Sequence, residues 1–305
     1  VIARASENPE LKDNPINIQV LKILFLIKYL SDEIPGNIDN ISTLMVNNID
    51  EDKLELKNRI KEALRKLQSN TLIQKNGDDY IFLTDDEQDV NREIKDEKPE
   101  EEVLKKVLSN YVFQGIYDDP KYKYSKVYSF PFNKKMDEKE YGNQTNSIGI
   151  NILTPLSDSY YKSDEELILK SSMNKEMIIR LAGSDNYIEE LNEALKINSY
   201  IKKKNINSLP ENIQAIIATK KGEMRLRETR TKELLENALI QGTYFINGEK
   251  VDIKSNSARE KIGSGFSILV NSVYYKLDYI KTYLASENEI AVLLKNNEEL
   301  KNKKV

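Results

Sequence analysis

The chain has no cysteine, no histidine and no tryptophan in 305 residues. Without cysteine there is no disulfide, no thiolate nucleophile and no thiolate zinc site. Without histidine there is no Ser-His-Asp triad and no imidazole metal site. Glycine is scarce, and none of the 11 glycines begins a G-x-x-x-x-G-K-[ST] pattern, so the loop that cradles nucleotide phosphates is missing. Charge of one sign is missing too. With 46 basic and 50 acidic residues the net charge is -4, which makes no whole-surface case for nucleic acid; a DNA site has to be a local patch. The longest apolar stretch, Val20 to Leu30, is interrupted by Lys22 and Lys28 and is too short to span a bilayer. No secretory signal is visible, and the expected setting is the cytoplasm, with no membrane partner. The opening residue is Val1, and the chain reads as a segment excised from a longer protein. What is present is 39% hydrophobic and 31% charged residues, the composition of a globular chain with much solvated helix.

Residues 1-34 read as a turn-rich lead-in and a mostly buried helix, in which Ile18, Leu21, Leu24, Phe25 and Leu26 recur at helical spacing until Pro35-Gly36 breaks it. A short helix with Ile41, Leu44 and Met45 follows, capped by Asp39 or Asn40. A longer helix capped by Asp50 carries Leu56, Ile60, Ala63, Leu64 and Leu67 as its inward stripe. Two strands, Leu72-Gln74 and Tyr80-Leu83, flank Asn76-Gly77, a tight-hairpin signal. Thr84 with Glu87 forms a capping box for the next helix. Helix, helix, hairpin is the order of a winged helix, so 35-117 is expected to be a winged-helix domain with its following helices.

A turn-rich linker at Asp118-Tyr124 leads to a second block, 126-206. Strands at Val127-Phe132 and Ser147-Leu153 enclose a polar loop, Asn133-Asn146. A helix capped by Asp164, a buried strand Met177-Leu181 and a helix from Asn186 complete a small α/β unit. Residues 207-305 are expected to be helical, with a hairpin at Asn247-Gly248. The expected fold class is therefore α+β multidomain: a winged-helix domain, a small α/β domain and a helical C-terminal part with a β-hairpin.

Two basic helices are candidates for DNA contact. In the first, Lys53, Lys57, Lys61 and Arg65 repeat every four residues, with Arg59 and Lys66 nearby, but Glu51, Asp52, Glu55 and Glu62 share the helix and the hairpin tip is Asp78-Asp79. In the second, Lys220, Lys221, Arg225, Arg227, Arg230 and Lys232 alternate with Glu223, Glu228, Glu233 and Glu236, which equally describes a solvated helix laced with ion pairs. Gly263-Ser264-Gly265 lacks the third glycine of a dinucleotide fingerprint and reads as a close helix contact. The adjacent pairs Asp118-Asp119 and Asp85-Asp86 are poorly spaced for one metal ion. Neither catalytic nor cofactor nor metal residues are assigned.

Three stretches, Leu11-Leu30 (LKDNPINIQVLKILFLIKYL), Leu64-Ile94 (LRKLQSNTLIQKNGDDYIFLTDDEQDVNREI) and Tyr141-Thr154 (YGNQTNSIGINILT), resemble the BREX phage-defence ATPase family called BrxC or PglY, as do Ser208-Glu211 and Tyr244-Gly248. The resemblance implies a large ATPase of the AAA+ type whose ATP and Mg²⁺ sites lie outside this segment, so no cofactor is carried over. It implies a non-catalytic, downstream part that serves assembly and regulation, with other BREX proteins or copies of itself as partners and weak DNA contact through the winged helix. Two alternatives stand beside it: a winged-helix transcription regulator, and a standalone enzyme built on Asp, Glu, Lys or Ser.

Overall fold

The computed structural model describes residues 1–30, 33–46, 48, 50–125, 128–142, 145–183, 186–279 and 287–295. They form a mixed α+β structure with twelve α-helices and ten strands, six of the strands in one sheet. Two compact units emerge: Val1–Pro99 with Glu190–Thr229, and Glu100–Glu189 with Arg230–Val305.

The first unit opens with α1 (Ile2–Glu7), α2 (Pro9–Lys12) and α3 (Pro15–Ile27). The expected lead-in is thus helical. Asn8 and Asn14 cap α2 and α3, accepting bonds from Glu10 N at 2.9 Å and Ile16 N at 3.2 Å, and each is followed by a proline at the first helical position. Next come α4 (Ile38–Met45) and α5 (Lys53–Ser69). Their caps are not the expected residues. Asn37 caps α4, accepting from Asn40 N at 2.9 Å. Asp52 caps α5, accepting from Leu54 N at 2.8 Å and Glu55 N at 3.2 Å. A run such as Asn37-Ile38-Asp39-Asn40 or Asp50-Glu51-Asp52 offers several equivalent oxygens, and the side chain that reaches the N2 or N3 amide is chosen by where the buried stripe begins. That stripe, Leu56, Ile60, Leu64 and Leu67 of α5, closes on Leu21 and Leu24 of α3 and Ile41 of α4.

Strands β1 (Ile73–Asn76) and β2 (Asp79–Phe82) pair with Asn76 opposite Asp79. The turn residues are therefore Gly77 and Asp78, one position later than expected. Only Gly77 has positive φ, +64°, in agreement with a hairpin that needs glycine at its first central position. Tyr80 N donates to Gly36 O at 3.0 Å, so the backbone just before α4 meets β2. A Cβ on Gly36 would come within 2.2 Å of Tyr80 O. α6 (Asp85–Lys95) follows, with the capping box of Thr84 and Glu87 in place.

The second unit begins with α7 (Glu101–Asn110), which widens into a π-helical turn at Tyr111–Ile116. A hairpin of β3 (Lys121–Lys123) and β4 (Ser129–Pro131) occupies part of the expected linker and strand; Val127, the expected strand start, lies outside the described residues. The expected polar loop instead holds β5 (Asn133–Met136) and β6 (Lys139–Glu140). β7 (Gly149–Leu153), α8 (Asp164–Asn174) and β8 (Glu176–Arg180) follow; Ser163 rather than Asp164 caps α8, in a capping box with Glu166. Then come α9 (Asn186–Lys203) and α10 (Glu211–Gln241), whose residues 190–203 and 211–229 belong to the first unit. β9 (Thr243–Ile246), β10 (Glu249–Val251), α11 (Ala258–Val273) and α12 (Glu287–Lys295) complete the described chain.

The large sheet runs β10-β9-β8-β7-β5-β6. β5, β7 and β8 are parallel; β6, β9 and β10 are antiparallel to their neighbours. The hairpin expected to stand with the C-terminal helices thus extends this sheet, because β9 pairs with β8 from Arg180↔Thr243 to Met177↔Ile246. Its turn, Asn247-Gly248, has φ of +45° and +93°, the two positive values expected there. Strand alternation puts Ile150, Ile152, Met177, Ile179, Tyr244 and Ile246 on one face, all buried. On the other face Leu153, Ile178 and Phe245 pack with Leu167 of α8.

Candidate nucleic-acid interface

Helix α5 carries the first basic candidate. Its apolar stripe fixes which side faces outward, and Lys53, Arg59, Lys61, Arg65 and Lys66 are exposed, with Lys57 half-buried. Among the described residues only Lys57 of these six forms an ion pair, to Asp39 of α4 at 2.5 Å. The Lys57 ammonium holds the Asp39 carboxyl below the usual carboxylate range through that hydrogen bond and its charge, and the charge of Lys61 adds to it. At the hairpin tip, Asp78 is exposed and Asp79 half-buried.

Helix α10 uses its bases differently. Lys220, Glu223 and Arg227 are 6%, 8% and 6% exposed. They join Gln74 of β1, Asn91 of α6 and Glu190 of α9 in one polar network within the first unit. Lys220 Nζ donates to Glu223 Oε2 at 2.9 Å and to Gln74 Oε1. Arg227 donates from Nε to Glu223 Oε1 at 3.0 Å, from Nη1 to Glu190 Oε2 at 3.1 Å, and from Nη2 to the Lys75 carbonyl at 3.1 Å. Gln74 Nε2 donates to Glu223, and Asn91 Nδ2 donates to Gln74 Oε1 at 2.9 Å. Burial raises the Glu223 pKa, but the charges of Lys220 and Arg227 outweigh it and leave the carboxyl below its ordinary value. Burial pushes the Lys220 ammonium down, against the pull of Glu223. Of the three residues of α10 chosen as DNA candidates, Arg225 is exposed, while Lys221 and Arg230 are half-buried. Lys220 and Arg227, which the charge spacing groups with them, face inward. Nothing in the helix's own sequence reveals this, because their partners Gln74, Asn91 and Glu190 come from three other elements.

The remaining candidates resolve into structure. Gly265 lets α11 approach the sheet: a Cβ there would lie 2.3 Å from Met177 Sδ. Asp118 and Asp119 both accept from Arg259, at 2.7 and 2.5 Å. Asp85 pairs with Arg4, and Asp86 accepts from Asn212 Nδ2 at 2.8 Å. Among the described residues no cluster of three or more acidic side chains is placed to hold a metal ion. No described helix is long and apolar enough to cross a membrane.

The carboxyl ends of the parallel strands, where open α/β sheets bind ligands, are taken up by the β5–β6 turn. Asp137 and Glu138 both have positive φ, +50° and +67°. Asp137 accepts from Thr154 N at 2.7 Å and Thr154 Oγ1 at 2.8 Å, and burial raises its pKa. Glu138 accepts from Ser159 Oγ and Lys170 Nζ. These polar groups of the edge are spent on one another.

A family model described as the fourth domain of the BREX ATP-binding protein BrxC, with a six-stranded β-sheet, matches residues 97–269. The match spans more than half of the 305 residues and contains the whole β10-β9-β8-β7-β5-β6 sheet. Helices α1 to α6 and the β1–β2 hairpin lie before it. No solved structure matches the chain. By this match the chain belongs to the BrxC family of BREX phage-defence proteins.

Proposed function

We propose that this chain is a non-catalytic part of a BREX ATPase, serving its assembly and regulation, with residues 35–82 acting as a winged helix. The observation that carries the reading is the bond from Tyr80 N to Gly36 O. It brings the backbone at Gly36, just before α4, onto β2 of the hairpin, with α5 as the last helix before the wing. The sequence contains no loop for the β- and γ-phosphates. The nucleotide, with its Mg²⁺, belongs in this reading to the ATPase domain elsewhere in the parent protein, and the partners are other BREX proteins or further copies of the parent.

Two measurements test this. Isothermal titration of the chain with ATP and Mg²⁺ is expected to show no heat of binding; a stoichiometric micromolar isotherm would make it a nucleotide-binding unit after all. A parent ATPase lacking residues 35–82 is expected to keep its ATP affinity and to lose co-purification with other BREX proteins. Full retention of that co-purification would remove the assembly role.

A further inference from the structure

The acidic and basic residues of α5 interleave in sequence but separate in space. At about 100° per residue, Lys53, Lys57, Lys61 and Arg65 span a sector of about 120° on the helix, and Glu62 and Glu55 begin about 60° beyond Arg65. Within the basic sector lie Leu54, 71% exposed, and, between Lys53 and Lys57, the buried Leu64, while Asn58 borders it on the exposed side. Arg59 and Lys66 fall on the far side of the two glutamates, each four residues from one of them, so that the charges of that flank balance. The outward surface of α5 is therefore divided into a cationic side and a neutral side.

Resting on the winged-helix reading, we propose that the sector Lys53–Lys57–Lys61–Arg65 docks double-stranded DNA, and that Asp39 of α4 acts as a built-in competitor for it. The partner follows from charge complementarity. A row of cations about 6 Å apart along one side of a helix matches a duplex backbone, which carries one negative charge per roughly 1.7 Å of axis. The helix itself fits the major groove, whose width is about 12 Å. A single strand is disfavoured because the sector holds no aromatic ring on which bases could stack. The competition follows from geometry. Asp39 Oδ1 lies 2.5 Å from Lys57 Nζ, and the Asp39 side chain is 77% exposed, so the pair sits in water at the rim of the sector. Such pairs are weak, and a phosphate can displace the carboxylate. Until it does, Lys57 is occupied, and among the described residues the free cations of the sector are Lys53, Lys61 and Arg65.

The test compares two substitutions that remove the same charge, one against a cation of the sector and one beyond its edge. Binding of the 305-residue chain to a short fluorescein-labelled duplex is followed by anisotropy over a range of salt. Asp39→Asn is expected to tighten binding by about two- to fivefold and to steepen the log–log salt slope by up to about 0.9, one additional phosphate contact. Glu62→Gln is expected to tighten binding less than Asp39→Asn, because Glu62 lies outside the sector, about 60° beyond Arg65, whereas Asp39 holds Lys57 directly. Lys61→Glu with Arg65→Glu is expected to abolish binding while leaving the thermal melt unchanged, since both side chains are exposed. Equal gains from Asp39→Asn and Glu62→Gln would overturn the sector. So would a single strand that binds as tightly as the duplex. Absence of binding at low salt in both the parent and Asp39→Asn would overturn DNA as the partner, and the assembly reading, tested by co-purification, would stand apart from that result.

Discussion

Helices α5 and α10 both interleave bases with acids along their sequence and use the bases in opposite ways. On α5 the cations point outward, and among the described residues only Lys57 of them is paired, at the surface, to Asp39. On α10 Lys220 and Arg227 point inward and are bound up with Glu223, Glu190 and Gln74. An outward cation keeps its hydration and can be given to a polyanion at little cost. An inward one has lost its water and is held only as long as its partners stay, because desolvation of an uncompensated charge costs several kcal/mol. The comparison separates a surface free to bind from a network that fixes the β1–β2 hairpin against α6, α9 and α10 through Gln74 and the Lys75 carbonyl.

The largest effect is expected where the network loses a charge. Arg227→Ala leaves Glu223 and Glu190 without their shared guanidinium, and breaking a buried pair in this way costs about 3–5 kcal/mol. Chemical denaturation of the purified chain measures it. A loss below about 1 kcal/mol, the range of surface pairs, would erase the distinction between the two helices.

Next in size is the hairpin that both helices depend on. Gly77 has φ of +64°, and Gly77→Val places a β-branched side chain in a conformation that such residues avoid. A destabilisation of about 1–3 kcal/mol is expected. An unchanged denaturation midpoint would show that the turn can re-form with another residue in the left-handed position.

Acid should act on the α10 network. The folded-state pKa of Glu223 is lowered, so the folded protein holds that proton less tightly than the unfolded chain. Its contribution is fully present above the unfolded value, near 4.5, and is lost as pH falls through the folded value. Lys220, also lowered, acts at alkaline pH: its part is present above 10.5 and lost as pH falls through its folded value, so it opposes stability at neutrality. Glu223→Gln is therefore expected to flatten the acid limb of the stability curve. Glu87 and Glu138, likewise lowered, keep the limb from vanishing. Identical acid limbs in both proteins would mean that Glu223 does not titrate differently on folding.

How much of this could be read from residues alone depends on the range of the interaction. The inward stripe of α5, the Thr84–Glu87 capping box and the positive-φ turn at Asn247-Gly248 are local, and all are present in the structure. β5 escaped because Asn133-Lys134-Lys135-Met136 has the composition of a loop; what makes it a strand is its parallel pairing with β7, from Asn133↔Gly149 to Met136↔Ile152. The six-stranded sheet escaped as a unit because β9 reaches β8 only after two long helices. The inward turn of Lys220 and Arg227 is hidden for the same reason. Charge spacing along a helix gives which residues share a face, but which face is buried depends on side chains brought from β1, α6 and α9.

The smallest effect is the most discriminating. Arg225 lies two residues before Arg227 on the same helix and is exposed, whereas Arg227 is 6% exposed. Two residues turn an α-helix by about 200°, so the pair samples both sides at one level, with the same side chain and the same distance from the helix ends. Arg225→Ala is expected to change stability by less than about 0.5 kcal/mol, as at other surface sites. It is also expected to leave duplex binding unchanged, because the cations assigned to DNA are those of α5. A large stability loss would mean that Arg225 is drawn into the polar network in solution. A loss of DNA binding without a loss of stability would move the nucleic-acid surface from α5 to α10. A null result on both counts, set beside the expected cost of Arg227→Ala, would show that burial and not sequence spacing decides what each arginine does.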